Sequence, residues 1–491
     1  MVENIVLITV DCLRFDALGC FDCKKNTTPN IDLIAKDGVK FNSCFANGGR
    51  TYSSFPSLLG SIYHSMYDGS RFPPSVLLLP ELFSRSGYKT IGLNAANPNL
   101  TEEFGYDAGF DHFADFIFNS DLDINYSQSS NDQDRGEDLD GQGNRLNELI
   151  RNNQILYKIA KRAYIMGNSL LDPYRKSRNY IRYLSGETPN ALSTHISPSA
   201  GDVIEKVREQ AVPYLSDNKP FFLWLHFMDP HSWYDPDTQY LTELYGDISR
   251  RRRFKANRAL MSASPFSGNP DISTVRKYLT TLKKLYDATV KEVDSAIGEL
   301  LDLLSQLRKK ETTALCITSD HGEAFLEHGT VQHDGGVYSE LTHVPLIIRA
   351  PELSAETIEW PCQLADIPST LAGLADISPP DYYVGRDLVQ TIDQNQQPGD
   401  PVISINPNGE PHIAARDSQF TMVKSEEETE FFDRRETPFE RESCQPKGDV
   451  KKKLQRGIEE YNTKVSTSNL QSEEVETSEE IQERLEDLGY M

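Results

Sequence analysis

No apolar run in this 491-residue chain approaches the roughly 20 residues a helix needs to cross a bilayer. The longest, FFLWLHF at 221–227, is far shorter and is followed by polar residues. The opening MVENIVLITVDCLR lacks a cationic stretch, a long apolar segment and a cleavage site. No signal peptide is expected, and the expected location is cytoplasmic. Positive charge is scarce: 50 Lys+Arg stand against 74 Asp+Glu, for a net charge of −24. That excludes a sequence-independent nucleic-acid binder, which needs cations to displace counterions from phosphate, and disfavours docking on an anionic membrane. Cysteines number seven, an odd and scattered set, so reduced thiols are expected. CFDC at 20–23 has metal-like spacing but no second pair, and reads as a loop. Aromatics are not lacking: 22 Tyr and 22 Phe suffice for a packed core although hydrophobic residues make up only 38% of the chain, which excludes wholesale disorder.

Residues 5–10, just before Asp11, form a nearly continuous β-branched apolar run, the pattern of a strand buried on both faces. Similar runs occupy 90–93, 221–227, 314–318 and 344–348, with helical patterns between them. TPNIDLIAKDG at 28–38 has Pro near a helix start and Gly as its stop, and 278–307 is long and amphipathic. The alternation predicts an α/β fold with a doubly wound, mostly parallel central sheet flanked by helices. The expected organisation is a catalytic domain over 1–350, a smaller α+β subdomain over 351–424, and a charged tail over 425–491 ending in a docking helix. Two variable insertions interrupt the first domain, at 116–200 and 245–269. The former includes an Asp/Asn/Ser/Gln-rich stretch at 120–143 that reads as flexible. The latter carries the basic cluster of Arg250 to Arg253 with Lys255 and Arg258, a solvated face or a substrate-facing flap.

Ligands of open α/β sheets sit beyond the carboxyl ends of the strands. There the chain places Asp11 with Cys12 and Arg14, Asp320 with His321 and Glu323, and Asp229 with His231. Two carboxylates and an imidazole suit a divalent cation, although an Asp at a strand end also serves as a helix cap. NGGRTYSSFPS at 47–57 reads as a tight turn opening a helix, whose free N–H groups favour an oxyanion. A Thr or Ser hydroxyl beside a cation there can attack phosphorus or sulfur; the plainer reading is that Thr51, Ser53 and Ser54 cap the helix.

Taken together, NIVLITVDCLRFDALG at 4–19, TTPNIDLIAKDGVKF at 27–41, TSDHGE at 318–323, EHG at 327–329 and YSELTHVPLII at 338–348 resemble the sulfatase branch of the alkaline phosphatase superfamily, in order and spacing as well as letters. ERLEDLGY at 483–490 is similar to the family's C-terminal helix. The resemblance is to an archaeal or bacterial sulfatase-like hydrolase with Thr at the nucleophile position. It implies an alkaline phosphatase-like fold and one divalent metal ion (Ca2+, Mn2+, Zn2+ or Mg2+) held by Asp11, Asp320 and His321 with the Thr51 oxygen. By the same resemblance Thr51 is the nucleophile, His231 serves the leaving group, and His333 stands near a family Lys or His that contacts the ester. Arg14 resembles a family Arg beside the first aspartate, but simple pairing with Asp16 is the favoured reading. His226 and His328 read as supports or ligands of a second cation, or simply as buried histidines.

The sequence departs from the family where typical sulfatases carry Cys or Ser in C/S-x-P-S-R and oxidise it to formylglycine. The window here is TYSSF, so no formylglycine is expected. Cys12 replaces the second Asp of the usual pair, and NAAN at 94–97 stands where a Lys-x-His pair is usual. The expected activity is therefore hydrolysis of sulfate or phosphate esters, small or carried on a glycan, through a covalent Thr intermediate. A soluble phosphotransferase or phosphodiesterase and an inactive anionic-glycan-binding homologue are the alternatives.

Overall fold

The computed structural model describes residues 2–116, 198–263, 271–333, 336–406, 412–436, 439–478, 481–482 and 484–485. The flexible stretch expected at 120–143 lies outside them.

An eight-stranded sheet forms from β1 (Asn4–Val10), β2 (Val39–Phe41), β3 (Lys89–Asn94), β4 (His112–Ala114), β5 (Phe221–Phe227), β6 (Thr313–Ser319), β7 (Leu346–Arg349) and β8 (Glu356–Ile358). Their order is β8-β2-β7-β6-β1-β5-β3-β4. β1 pairs in parallel with β5 and β6, and β3 in parallel with β5 and β4. β7 runs antiparallel to both β2 and β6, so one apolar run expected in a parallel sheet enters it reversed. Every residue of β1, β5 and β6 is buried, as expected for strands covered on both faces.

Alternate residues feed two cores. Val6, Ile8 and Val10 face one layer with Leu223, Leu225 and Ile317, packed beneath α1 (Pro29–Lys36) and the 35-residue α4 (Ile272–Gln306). Ile5, Leu7, Phe222, Trp224 and Cys316 face the other, under α2 (Thr51–Gly60) through Phe55, Leu58 and Leu59. The basic cluster forms an ordered helix, α3 (Arg250–Ser262). Its Arg253 and Asn257 are buried, the latter bonding both backbone groups of Tyr234, while Arg251, Arg252, Lys255 and Arg258 remain exposed.

A second sheet, antiparallel in sequence order, comprises β9 (Val402–Asn406), β10 (His412–Arg416), β11 (Phe420–Lys424) and β12 (Thr429–Asp433). α5 (Gly448–Thr467) packs on it through Leu454, Ile458 and Tyr461. The boundary expected between 424 and 425 thus falls inside a sheet. Further on, Ile481 and Leu485 are buried in the second core layer of the large sheet. All seven cysteines are free thiols, Cys20 and Cys23 included.

Candidate active site

Three strand ends and one helix start meet at the carboxyl edge of the large sheet. The Asp11 N–H donates to Phe227 O at 2.9 Å, which fixes the residue after β1 against the end of β5. Ser319 Oγ lies 2.7 Å from Val10 O and 2.5 Å from His321 O and accepts the Leu13 N–H at 3.0 Å. One hydroxyl therefore ties together the turns after β1 and β6. Gly322 is needed in the second turn, since a Cβ there would lie 2.2 Å from Glu340 O. Thr51 is the first residue of α2, following Arg50 at the cap position. Ser53 and Ser54 donate to Arg50 O and Thr51 O, so neither caps the helix start. Gly48 permits the approach: a Cβ on it would lie 2.1 Å from Ser53 Oγ.

These elements bring Asp11, Thr51, Asp320 and His321 into one fully buried cluster. His321 Nδ1 lies 2.9 Å from Gly322 O and so carries the ring proton, leaving a lone pair on Nε2. That nitrogen is 3.6 Å from Asp11 Oδ1, 3.5 Å from Asp320 Oδ2 and 3.4 Å from Thr51 Oγ1. Both carboxylate oxygens are buried and accept no hydrogen bond among the described residues. Two carboxylate oxygens and an imidazole lone pair converging in a dry site repel one another and leave acceptors unsatisfied. A divalent cation with mixed oxygen and nitrogen ligation removes both penalties, so the donor set fits the metal that the sequence implies. The protein alone answers by moving pKa values. Burial raises Asp11 well above the ordinary carboxylate range, with Asp320 the next cause, and burial likewise raises Asp320.

A second ring of side chains orients the first. Asn97 Nδ2 donates to Asp11 Oδ2 at 3.0 Å, and the Asn97 N–H is held by Asn94 Oδ1. His226 Nδ1 sits 2.9 Å from Thr9 Oγ1, and its Nε2 lies 3.9 Å from the same Asp11 Oδ2. Burial, then His321, holds its pKa down to about 3, so it is neutral. Glu323 Oε1 accepts from Tyr234 at 2.9 Å, and Oε2 lies 3.0 Å from His333 Nδ1. His333 sits between the rings of His231 and His321, with centroids 4.8 and 4.7 Å away. His231 Nδ1 is 2.6 Å from Ser232 O. Burial lowers both His231 and His333 well below the ordinary imidazole value; His333 is the next cause for His231, and His321 for His333.

The structure thus brings together Asp11, Thr51, Asp320, His321, His231 and His333. His328 is not among them: its ring is engaged by Glu340 at 2.6 Å and by Glu440 O at 3.1 Å. Arg14 forks onto Asp16 at 2.8 and 2.9 Å and reaches Glu327 at 3.0 Å, which is the pairing expected of it. Sequence reasoning gave no role to Glu323, Asn97 or Arg50. The signal for Glu323 is its place in the DHGE turn; Asn97 lies just past a strand end; Arg50 reaches the His333 carbonyl at 3.2 Å and carried no signal.

The fold and this edge define the alkaline phosphatase-like class of α/β proteins. Within it, the sulfatase family profile matches residues 3–377, and the chain belongs to the sulfatase family, a hydrolase of sulfuric or phosphoric esters. An arylsulfatase of Clostridium perfringens is 24% identical over 466 residues, covering 90% of this chain and 89% of the relative. Among solved structures, the phosphonate monoester hydrolase of Agrobacterium radiobacter superposes with a TM-score of 0.63 at 18% identity, over 95% of this chain and 96% of that one. A protein solved in complex with its substrate D-glucosamine-2-N,6-O-disulfate gives a TM-score of 0.63 at 18% identity, over 96% and 99%. Among the described residues, no helix is long and apolar enough to cross a membrane.

Proposed function

We propose that the protein hydrolyses sulfate or phosphate esters through a covalent intermediate on Thr51, with one divalent cation held by Asp11, Asp320, His321 and the Thr51 oxygen. The observation that carries this reading is the Thr51 hydroxyl 3.4 Å from His321 Nε2, beside two buried carboxylate oxygens that accept no hydrogen bond among the described residues. The cation supplies Lewis acidity: it lowers the pKa of the hydroxyl and offsets charge on the ester. Manganese or zinc suits the set better than calcium, for which imidazole is a poor ligand.

Thr51 Oγ1 attacks the sulfur or phosphorus in line, and the bond to the departing alcohol oxygen breaks. The N–H groups at the start of α2 face the equatorial oxygens and stabilise their charge. His231 gives a proton to the leaving oxygen. It is neutral in the resting site, where burial keeps its pKa low; the counter-charge of a bound anionic ester favours its protonated form, and the proton that Thr51 Oγ1 sheds on attack replaces the one His231 delivers. His333 contacts the nonreacting ester oxygens. Water then attacks the Thr51 ester and regenerates the hydroxyl.

Threonine cannot form the aldehyde of formylglycine, so the reaction proceeds without that modification. This favours phosphate monoesters and diesters over sulfate, and keeps transfer to an acceptor alcohol as the second reading. The likeness to a phosphonate monoester hydrolase supports the same direction. The substrate class extends to esters borne on sugars, as the sugar disulfate bound by one structural neighbour suggests. Nitrophenyl phosphate, a nitrophenyl phosphodiester and nitrophenyl sulfate, assayed with each metal, test the proposal. Thr51→Ala is expected to reduce kcat on the order of 10^3-fold or more while binding the metal. Unchanged turnover in that variant removes Thr51 from the mechanism, and no turnover by the wild-type protein on any ester points to a binding module.

A further inference from the structure

We propose that a cleft beyond the end of β8, remote from Thr51 on the same edge of the large sheet, binds a neutral saccharide unit with Trp360 as its platform. β8 runs parallel to β2, β2 antiparallel to β7, β7 antiparallel to β6, and β6 parallel to β1. The end of β8 therefore opens on the same edge as Asp11. Four strand spacings separate β8 from β1, or about 19 Å. A cavity of about 450 Å³ forms there between the end of β8, the turn after a short helix (Leu388–Asp393), the β10–β11 turn and the residues following β12. That volume falls within the range of small-ligand pockets, about 300–1,000 Å³.

The lining selects the ligand. Trp360 is half-buried; the Phe41 ring meets it edge to face at 6.0 Å, and the Arg386 guanidinium lies 5.9 Å from its ring centre, so the ring is held. Around it stand the exposed side-chain amides of Asn395, Gln396, Gln397 and Gln419, which make no hydrogen bond among the described residues. Their backbones are fixed. The N–H groups of Asn395 and Gln396 donate to Ile392 O at 2.8 Å and Thr391 O at 3.1 Å, and that of Gln419 donates to Asp417 Oδ1 at 2.9 Å. An aromatic face receives the C–H face of a sugar ring, and an amide, donor and acceptor together, spans neighbouring hydroxyls. Other ligands fit worse. Arg435 is committed to Asp433 at 2.9 Å, and Glu356 and Glu359 add negative charge, so an anion is repelled. An apolar molecule would cover the amides without pairing them. A peptide strand would have to add to β8, and three residues with Glu356 exposed make a poor template. The cleft does not depend on the proposed Thr51 chemistry. Where the ester is borne on a glycan, an unmodified sugar of the same chain occupies the cleft, and a chain long enough to span both sites gains affinity.

Neutral linear hexasaccharides of glucose, mannose, xylose and galactose are added to the full chain, and binding is read by saturation-transfer NMR. At least one is expected to bind, and Thr51→Ala should bind it equally well. Trp360→Ala should weaken binding about tenfold and Trp360→Phe should keep most of it. Gln396→Ala with Gln419→Ala should weaken it about fivefold. Failure of all four saccharides to bind overturns the proposal. So does binding that either Trp360→Ala or the glutamine pair leaves unchanged; both glutamines are exposed, so that variant does not put folding at stake. Saccharide binding by a protein inactive on every ester sustains this inference while sinking the proposed reaction; turnover of nitrophenyl esters without saccharide binding does the reverse.

Discussion

The two sheets each bury an anionic cluster, and they complete it differently. Beside the small sheet, Glu440 is matched group for group. Its Oε1 accepts from Ser339 Oγ at 2.7 Å and Thr421 Oγ1 at 2.9 Å, and its Oε2 accepts the Ser339 N–H at 2.9 Å. Arg416, fully buried, pairs with it at 3.4 Å, donates also to Ser404 and Val337 O, and lies over Phe45 with 4.6 Å to the ring centre. At the edge of the large sheet, Asp11 and Asp320 each keep an oxygen that nothing described satisfies. A carboxylate answered by its own chain is architecture; one left unanswered, in a dry pocket, is waiting for something from outside.

The contrast can be broken at four points. The largest effect is expected at the completed cluster. Arg416→Met leaves Glu440 buried without its guanidinium and should cost about 3–5 kcal/mol in denaturant unfolding, with bound metal unchanged. Next comes metal removal. Relative to protein held at about 100 times the Kd, chelation should lower stability by about 2.7 kcal/mol, and an unchanged unfolding midpoint argues against any built cation site. Third, Asp320→Asn should act with the opposite sign to Arg416→Met in metal-free protein. Removing one of two repelling buried carboxylates gains about 1–2 kcal/mol and removes the stabilisation by the ion that Asp11, Asp320 and His321 would hold.

The smallest effect concerns Glu292 on α4, a carboxylate outside both clusters. Burial, then Asp229, raises it to about 8, and the Asp237 N–H donates to it at 3.1 Å. Its folded pKa exceeds the ordinary 4.5, so the stability it contributes is full below that value and is lost as pH rises through about 8. Glu292→Gln should flatten the fall in thermal midpoint between about pH 4.5 and 8, the ordinary and the shifted values.

Much of the large sheet was legible because its strands are buried on both faces and their sequences are continuous apolar runs. The direction of β7 was not, since a run such as LIIR is equally apolar whichever way it enters a sheet. β12 and α5 lie in a stretch read as charged tail: α5 buries one face and gives the other to solvent, and β12 buries only Phe431 and Phe432 among polar neighbours, so composition hid both. Of the site, Asp11, Asp320 and His321 announced themselves by following strands in recognisable motifs. Glu323 and Asn97 act through geometry that only folding reveals. Cys12 read only as a departure from the family, because sequence alone does not show that His333, 321 positions further on, faces its sulfur.

Tyr286 has a consequence for how this molecule can change. It projects from a 35-residue helix, donates to Cys12 O and accepts the Arg14 N–H, and is the peg on which the turn carrying Asp11 and Cys12 hangs. Each helical residue turns the axis by about 100°. One residue inserted in α4 ahead of Tyr286 would swing the peg away, whereas one added before Ile272 would leave it in place. The chemistry at the sheet edge therefore dictates the length of a helix it never touches along most of its course, and tolerates growth only outside it.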